Sequence, residues 1–286
     1  MTVERGLFVT SDWLASHLGA PDLAIVEGSS YLPAMRRDPE AEFLVAHIPG
    51  AVRLDIDRVC DPRSSLPHML PSEEEFAAAV GALGIGDGMR IVVYDGVGLH
   101  SAPRVRWMFK VYGVADVAIL DGGRPRWLGE GRATEKGPAR PVSRKFTARL
   151  DHSAVADLAQ MKRVLADGSA QVVDARPAGR FYGEAQEPRS GVRSGHMPGS
   201  LNVPATSVVA NGSLLDAAAL RQAFEKADVA FDRPIITTCG SGVTAAILAL
   251  ALERIGAPAP SLYDGSWSEW GSRSELPVAT GRPKER

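Results

Sequence analysis

Thr237-Thr238-Cys239-Gly240-Ser241-Gly242-Val243-Thr244-Ala245 places a cysteine between an apolar run, Pro234-Ile235-Ile236, and a glycine-rich turn. The apolar helical stretch Ala246 to Leu252 follows directly. That order puts the sulfur where a strand ends and a helix begins. There the free backbone N–H groups and the positive end of the helix dipole favour an anion. A thiolate is such an anion, and this setting is one of the known ways to lower a cysteine pKa. Gly240 and Gly242 let the backbone curl its amides toward the sulfur without Cβ clashes. The competing reading is an inert core cysteine, since free Cys is among the most buried residue types. Flanking glycines and the hydroxyls of Ser241 and Thr244 favour a reactive thiol.

The elements that hold this loop occur twice. His47-Ile48-Pro49-Gly50-Ala51-Val52 recurs as His196-Met197-Pro198-Gly199-Ser200-Leu201. Ile91-Val92-Val93-Tyr94-Asp95-Gly96 recurs as Ile235-Ile236-Thr237-Thr238-Cys239-Gly240, and Leu120-Asp121-Gly122-Gly123 with Trp127 recurs as Tyr263-Asp264-Gly265-Ser266 with Trp270. These landmarks keep their order at separations of 149, 144 and 143 residues. So long a period means two tandem domains rather than a solenoid of short repeats. From Gly129 to about Leu150 the chain is rich in Pro, Gly and charge and has no sustained apolar period. The expected division is therefore a domain over 1–132, a linker over 133–152 and a domain over 153–286. Within the second half, 171–175 and 235–238 read as strands, 216–227 reads as an amphipathic helix, and another helix opens near Thr244. Alternating strands and helices imply an α/β fold, a parallel sheet in each domain with helices on both faces. In such sheets chemistry gathers at the carboxyl ends of strands, where Cys239 falls.

Composition narrows the classes. The 286 residues are 45% hydrophobic and 23% charged, ordinary globular values. A net charge of −2, from 32 Lys+Arg and 34 Asp+Glu, offers no basic excess for nucleic acid and no polybasic block for a membrane surface. No apolar run approaches the ~20 residues needed to cross a bilayer, and Met1 to Arg5 do not open a signal peptide. Two cysteines, Cys60 and Cys239, make no disulfide framework, so a reducing, cytoplasmic compartment is expected. The histidines show no paired ligand spacing, and no metal is expected. Gly84-Ile85-Gly86-Asp87-Gly88 precedes a strand, whereas a dinucleotide loop follows one, so it reads as a turn. Cys60, His47 and His196 read as structural, and Asp121 and Asp264 as residues that order loops.

Taken together, the paired His-x-Pro-Gly turns, the strand-Cys-Gly-x-Gly-Val-Thr loop and the Asp-Gly-x-x-x-x-Trp element resemble two-domain rhodanese-type sulfurtransferases over nearly the whole chain. The resemblance implies two rhodanese-like domains, the second catalytic and the first inactive, with Asp95 standing where Cys239 stands. Glu27-Gly28-Ser29 departs from the Asp-Ala pair more usual there, which the second half has as Asp174-Ala175. Thiosulfate-using members typically carry basic residues after the cysteine. The neutral loop Gly240, Ser241, Gly242, Val243 and Thr244 is instead similar to that of 3-mercaptopyruvate sulfurtransferases. On that resemblance Arg180 and Arg189 match the pair that holds the substrate carboxylate, a task suited to a planar guanidinium. Asp57, His68 and Ser241 match an Asp-His-Ser relay across the domain interface that polarises the donor or moves a proton. His100 sits where an aromatic hydroxyl is common. The implied reaction is ping-pong sulfur transfer through a Cys239 persulfide. It needs no cofactor, releases pyruvate, and ends on cyanide, a small thiol or a protein dithiol such as thioredoxin. Competing readings are a thiosulfate sulfurtransferase, a non-enzymatic persulfide carrier, and a cysteine phosphatase. The last lacks an arginine to close the loop, since Ala245 and Ala246 fall where it would stand.

Overall fold

A computed structural model describes residues 6–282. Its elements in chain order are β1 (Phe8–Val9), α1 (Ser11–Ser16), β2 (Leu23–Glu27), α2 (Pro39–Val45), β3 (Ala51–Arg53), α3 (Glu73–Ala82), β4 (Arg90–Tyr94), α4 (Ala102–Val111), β5 (Val117–Leu120) and α5 (Gly123–Gly129). The second series is β6 (Val155–Ala156), α6 (Leu158–Asp167), β7 (Gln171–Asp174), α7 (Ala178–Phe181), β8 (Leu201–Asn202), β9 (Val209–Ala210), β10 (Ser213–Leu214), α8 (Ala217–Glu225), β11 (Ile235–Thr238), α9 (Ala245–Arg254), β12 (Ser261–Tyr263) and α10 (Ser266–Trp270).

Two five-stranded sheets result, ordered β1-β5-β4-β2-β3 and β6-β12-β11-β7-β8, so the repeat seen in the sequence is a repeat of topology. Every described pairing within them is parallel, Glu27 standing opposite Tyr94 and Asp174 opposite Thr238. The central strands are unbroken apolar or small-polar runs, buried throughout in β7 and β11. A parallel sheet covered by helices on both faces requires such strands. The helix expected over 216–227 spans Ala217–Glu225, started by Asp216, whose carboxylate accepts from Ala219 N at 2.9 Å. Leu220 and Phe224 form its buried face.

By compactness the residues group into two units that interleave in sequence. The first holds residues up to Pro62, Leu70–Asp151 and Asn211–Ser213, and the second holds Arg63–Met69, His152–Ala210 and Leu214 onward. The stretch expected to link two domains, 133–152, is bonded along the first unit. Glu135 and His47 exchange backbone hydrogen bonds of 2.9 and 3.0 Å, Gly137 N donates to Leu44 O, and Arg144 N donates to Gly81 O. Arg149 N and Asp151 N then donate to Tyr112 O and Val111 O. Such a segment shows no helix or strand period because its backbone partners lie far away in sequence. Its counterpart in the second unit runs from Ala279, bridged to His196, to Gly281, whose N–H donates to Tyr182 O. In both units the histidine Nδ1 bonds a backbone carbonyl at 2.8 Å, Phe43 O or Phe181 O, and its ring stacks on that phenylalanine at 4.0 Å. His47 and His196 are thus structural.

The first core gathers Leu14, Ile25, Phe43, Val92, Leu120 and Trp127. The second gathers Met161, Val172, Ile236, Tyr263, Trp267 and Trp270. Where β4 meets α4, Asp95 is fully buried and its carboxylate accepts five backbone N–H groups. Val97 and Gly98 donate to Oδ1 at 2.8 and 2.7 Å; His100, Ser101 and Ala102 donate to Oδ2 at 2.7, 2.9 and 2.8 Å. Replacing Asp95 with Ala should strand these donors and destabilise the protein by on the order of 3 kcal/mol in denaturant unfolding. A loss under about 1 kcal/mol would mean that the amides find other partners.

Candidate active site

In the second unit the same loop is headed by Cys239. The strand β11 ends at Thr238, the loop runs over 239–244 with Gly242 at a φ of 80°, and α9 begins at Ala245. Thr244 occupies the N-cap position, but its side chain makes no capping hydrogen bond. Cys239 is 2% exposed, with Ser241 and Val243 also buried. Burial alone would suit an inert core thiol; the surroundings do not. Among the described residues, no group accepts a hydrogen bond from the amides of Gly240 through Thr244. The first-unit counterparts of Ser241, Gly242 and Thr244 are Val97, Gly98 and His100, whose N–H groups bind the Asp95 carboxylate, so the repeat contains its own reference compound: a loop of this shape is completed by an anion. Cys239 is unpaired with Cys60, and both are free thiols.

The loop is held from behind by β12 and α10. Trp267 N and Ser268 N donate to Cys239 O and Gly240 O, each at 2.9 Å, and Ser268 Oγ donates to Gly240 O at 2.6 Å. With these carbonyls tied back, the peptide planes leave their N–H groups facing the other way. Ser266 lies beneath, fully buried. Its Oγ donates to Tyr263 O at 2.8 Å and stands 3.4 Å from both Cys239 N and Thr238 Oγ1, which donate to it. Ser266 has a φ of 50°, a left-handed conformation that costs a side-chain-bearing residue about 1 kcal/mol or more. The matching residue in the first unit is Gly123, at a φ of 53°, where a Cβ would come within 2.6 Å of Asp95 O. The backbone thus demands the same turn in both units, and only the cysteine-bearing one carries a hydroxyl there.

Arg180, at the end of α7, brings Nη2 to 3.1 Å from where a Cβ on Gly240 would stand. Its fork is engaged by Glu187: Nε donates to Oε1 at 3.2 Å and Nη2 donates to Oε2. Glu187 also accepts from Arg176 Nη1 at 2.8 Å. Arg176 grips Asp174 through Nε and Nη2, at 2.9 and 2.7 Å, and lies over the Trp267 ring, 4.3 Å from its centroid. One buried network therefore joins the end of β7, the base of α10 and the arginine beside the cysteine loop. Arg189 is half-buried, and among the described residues it makes no ion pair.

The remaining expected residues divide between the units. His68 is buried, at a φ of 59°, in the Arg63–Met69 segment of the second unit, which also holds Cys239 and Ser241. Asp57 is exposed and belongs to the first unit; its N–H donates to Asp55 Oδ1 at 2.9 Å and its carbonyl accepts from Cys60 Sγ. His100 also belongs to the first unit, where its N–H binds Asp95 and burial holds its ring below the ordinary histidine pKa. Glu27, out of pattern in the sequence, is paired with Arg53 of β3 at 2.9 Å; Ser29 stands where the second unit has Arg176. Burial raises the Glu27 pKa while Ser29 and Arg53 oppose the rise.

Two segments, 10–130 and 157–273, match the rhodanese-like domain model. The chain belongs to the rhodanese family. It is 43% identical over 272 residues to the 3-mercaptopyruvate sulfurtransferase of Escherichia coli K12, covering 95% of this chain and 97% of that one. It is 40% identical over 285 residues to the Homo sapiens 3-mercaptopyruvate sulfurtransferase, with 96% of each chain covered. Thiosulfate sulfurtransferase of Gallus gallus is 39% identical over 274 residues, with 93% of each covered. The crystal structure of SseA from Escherichia coli, a 3-mercaptopyruvate sulfotransferase, superposes with a TM-score of 0.85 at 41% identity, over 92% of this chain and 99% of that one.

Sequence reasoning missed Glu187, Arg176 and Ser266. Glu187 stands two residues before Arg189, but only the folded loop turns it onto two arginines, Arg176 and Arg180. Ser266 departs from the Gly123 of the other repeat, a signal readable once the halves are aligned. Replacing Ser266 with Gly should leave stability within about 1 kcal/mol of the parent, because relief of the left-handed strain offsets the added chain entropy. Turnover should fall about tenfold, measured beside thermal unfolding. Unchanged turnover would reduce the hydroxyl to packing.

Proposed function

We propose that this protein transfers sulfur from 3-mercaptopyruvate to a thiol or cyanide through a persulfide on Cys239. One observation carries the reading: a loop whose twin is completed by a carboxylate holds a sulfur atom instead, beside an arginine. In the proposed reaction the Cys239 thiolate attacks the thiol sulfur of the donor. The carbon–sulfur bond breaks, its electron pair leaves as the enolate of pyruvate, and the proton of the donor thiol goes to that carbon. The terminal sulfur remains on Cys239 as a persulfide anion, stabilised by the amides of Gly240, Ser241, Gly242, Val243 and Thr244. A thiolate or cyanide then takes the outer sulfur and returns Cys239 as thiolate. A reduced protein dithiol such as thioredoxin is a suitable acceptor, and no cofactor is required.

Arg180 and Arg189 hold the donor carboxylate in this reading. What supports the part of Arg180 is its place against Gly240; Arg189 is assigned on the family match. His68 and Ser241 carry the proton between donor thiol and enolate. What supports this is their common unit and the seating of the equivalent segment in the other one: Gly212 approaches Gly98 of the Asp95 loop, where a Cβ on Gly98 would come within 2.7 Å of Gly212 Cα. The neutral cysteine loop sets 3-mercaptopyruvate ahead of thiosulfate, which we assign as the lesser donor. Two free thiols fit a reducing, cytoplasmic setting, and no helix of the described residues is long and apolar enough to cross a membrane.

Turnover on 3-mercaptopyruvate and thiosulfate, measured side by side with cyanide as acceptor, tests the donor assignment. Pyruvate release with a clear preference for mercaptopyruvate is the expected result, and a preference for thiosulfate would overturn it. Cys239→Ser should lose both half-reactions; activity surviving in that variant would remove the nucleophile assignment. Arg189→Ala should raise KM for mercaptopyruvate at least tenfold more than KM for thiosulfate. Equal effects on the two donors would refute the carboxylate clamp.

A further inference from the structure

We infer that Glu187 is a specificity-determining residue that sets how much negative charge the donor site accepts. The inference rests on the donor reading above. Asp174, Arg176, Glu187 and Arg180 form a chain of alternating charge with little solvent access. Side-chain exposures are 1% for Asp174 and Arg176, 3% for Glu187 and 18% for Arg180. Asp174 and the backbone carbonyl of Gly195 engage Arg176 through Nε and Nη2, leaving Nη1 for Glu187. Glu187 places its second oxygen on Arg180 Nη2, the nitrogen that stands over Gly240. Two acids and two arginines thus cancel, and the proposed pair Arg180 and Arg189 presents one net positive charge rather than two.

A site with one surplus positive charge matches a donor with one carboxylate. A dianion such as thiosulfate brings a second negative charge against the buried Glu187 carboxylate, where repulsion is weakly screened. Glu187 also fixes the rotamer of Arg180 by gripping the edge of its fork that carries Nε and Nη2, so that Nη1, which bonds none of the described residues, can turn toward a ligand. Discrimination between the donors then comes from an unfavourable charge set against the wrong one as well as from contacts with the right one.

The decisive measurement is the ratio of kcat/KM for thiosulfate to kcat/KM for 3-mercaptopyruvate in wild type, Glu187→Gln and Glu187→Asp. Removing the charge in Glu187→Gln should raise that ratio about tenfold, through a lower KM for thiosulfate. Glu187→Asp keeps the charge and should hold the ratio within about twofold, whatever it does to the rates. A purely structural role would depress both donors alike and leave the ratio unmoved in both variants, and that outcome would overturn the inference. So would an equal shift in the Asp variant, which would assign the effect to geometry. Wild-type protein supplies a readout independent of folding in the variants. Pyruvate, a single-charge carboxylate, should inhibit competitively at a lower concentration than sulfate at matched ionic strength, and tighter inhibition by sulfate would also overturn the inference. A wild type that ignores mercaptopyruvate altogether would instead strike the donor reading, so the two failures are separable.

Discussion

Each half of this molecule is built around a short loop whose backbone amides converge and must be given an anion. The requirement is electrostatic: several N–H groups at a strand end and helix start, withheld from water, are stabilised only when negative charge completes them. In the first unit a carboxylate from within the loop does so permanently, and Asp95 is consequently a fixture of the fold. In the second unit the same positions follow Cys239, which in the proposed reaction is charged, modified and restored. On the proposed reading, catalysis is an interrupted structural interaction: the turn closed in the first unit by its own side chain is left in the second for a sulfur that comes and goes.

The rest of the second unit serves to hold that loop still. Backbone amides of α10 tie back the carbonyls of Cys239 and Gly240, and Ser266 tolerates an unfavourable backbone angle beneath them. Beside the loop, buried charges are paired edge to edge. Ionised groups at 1% to 3% exposure persist only when each has a partner of opposite sign. The network runs from Asp174, at the end of β7, to Arg180, against Gly240. A change in one partner is therefore felt at the position of a guanidinium several residues away.

Much of this was legible in the chain. The strand-cysteine-glycine-helix order located the loop because its signals are local: apolar runs, glycines and a helix start lie within a dozen residues. Elements named from pattern, such as the strand at 235–238 and the helix beginning beside Thr244, fall within a residue or two of where they form. Asp95 in place of Cys239 was visible as soon as the halves were aligned. The 133–152 stretch was not legible, since a strap bonded through its backbone to Leu44, Gly81 and Tyr112 writes no period into its side chains. Nor was the role of Glu187, which depends on a loop closing over two arginines.

The sequence by itself determined the duplication, the α/β class, and the place of Cys239 and its neutral loop between a strand and a helix, because these rest on residue order and short-range chemistry. Tertiary structure decided which segment belongs with which core. His68 joins the second unit and Asn211–Ser213 the first, contrary to their order in the chain. It also decided that Arg180 meets a loop sixty residues away with its fork held by Glu187. Such outcomes follow from burial and pairing of charge between groups distant in sequence, a global condition that no local pattern encodes.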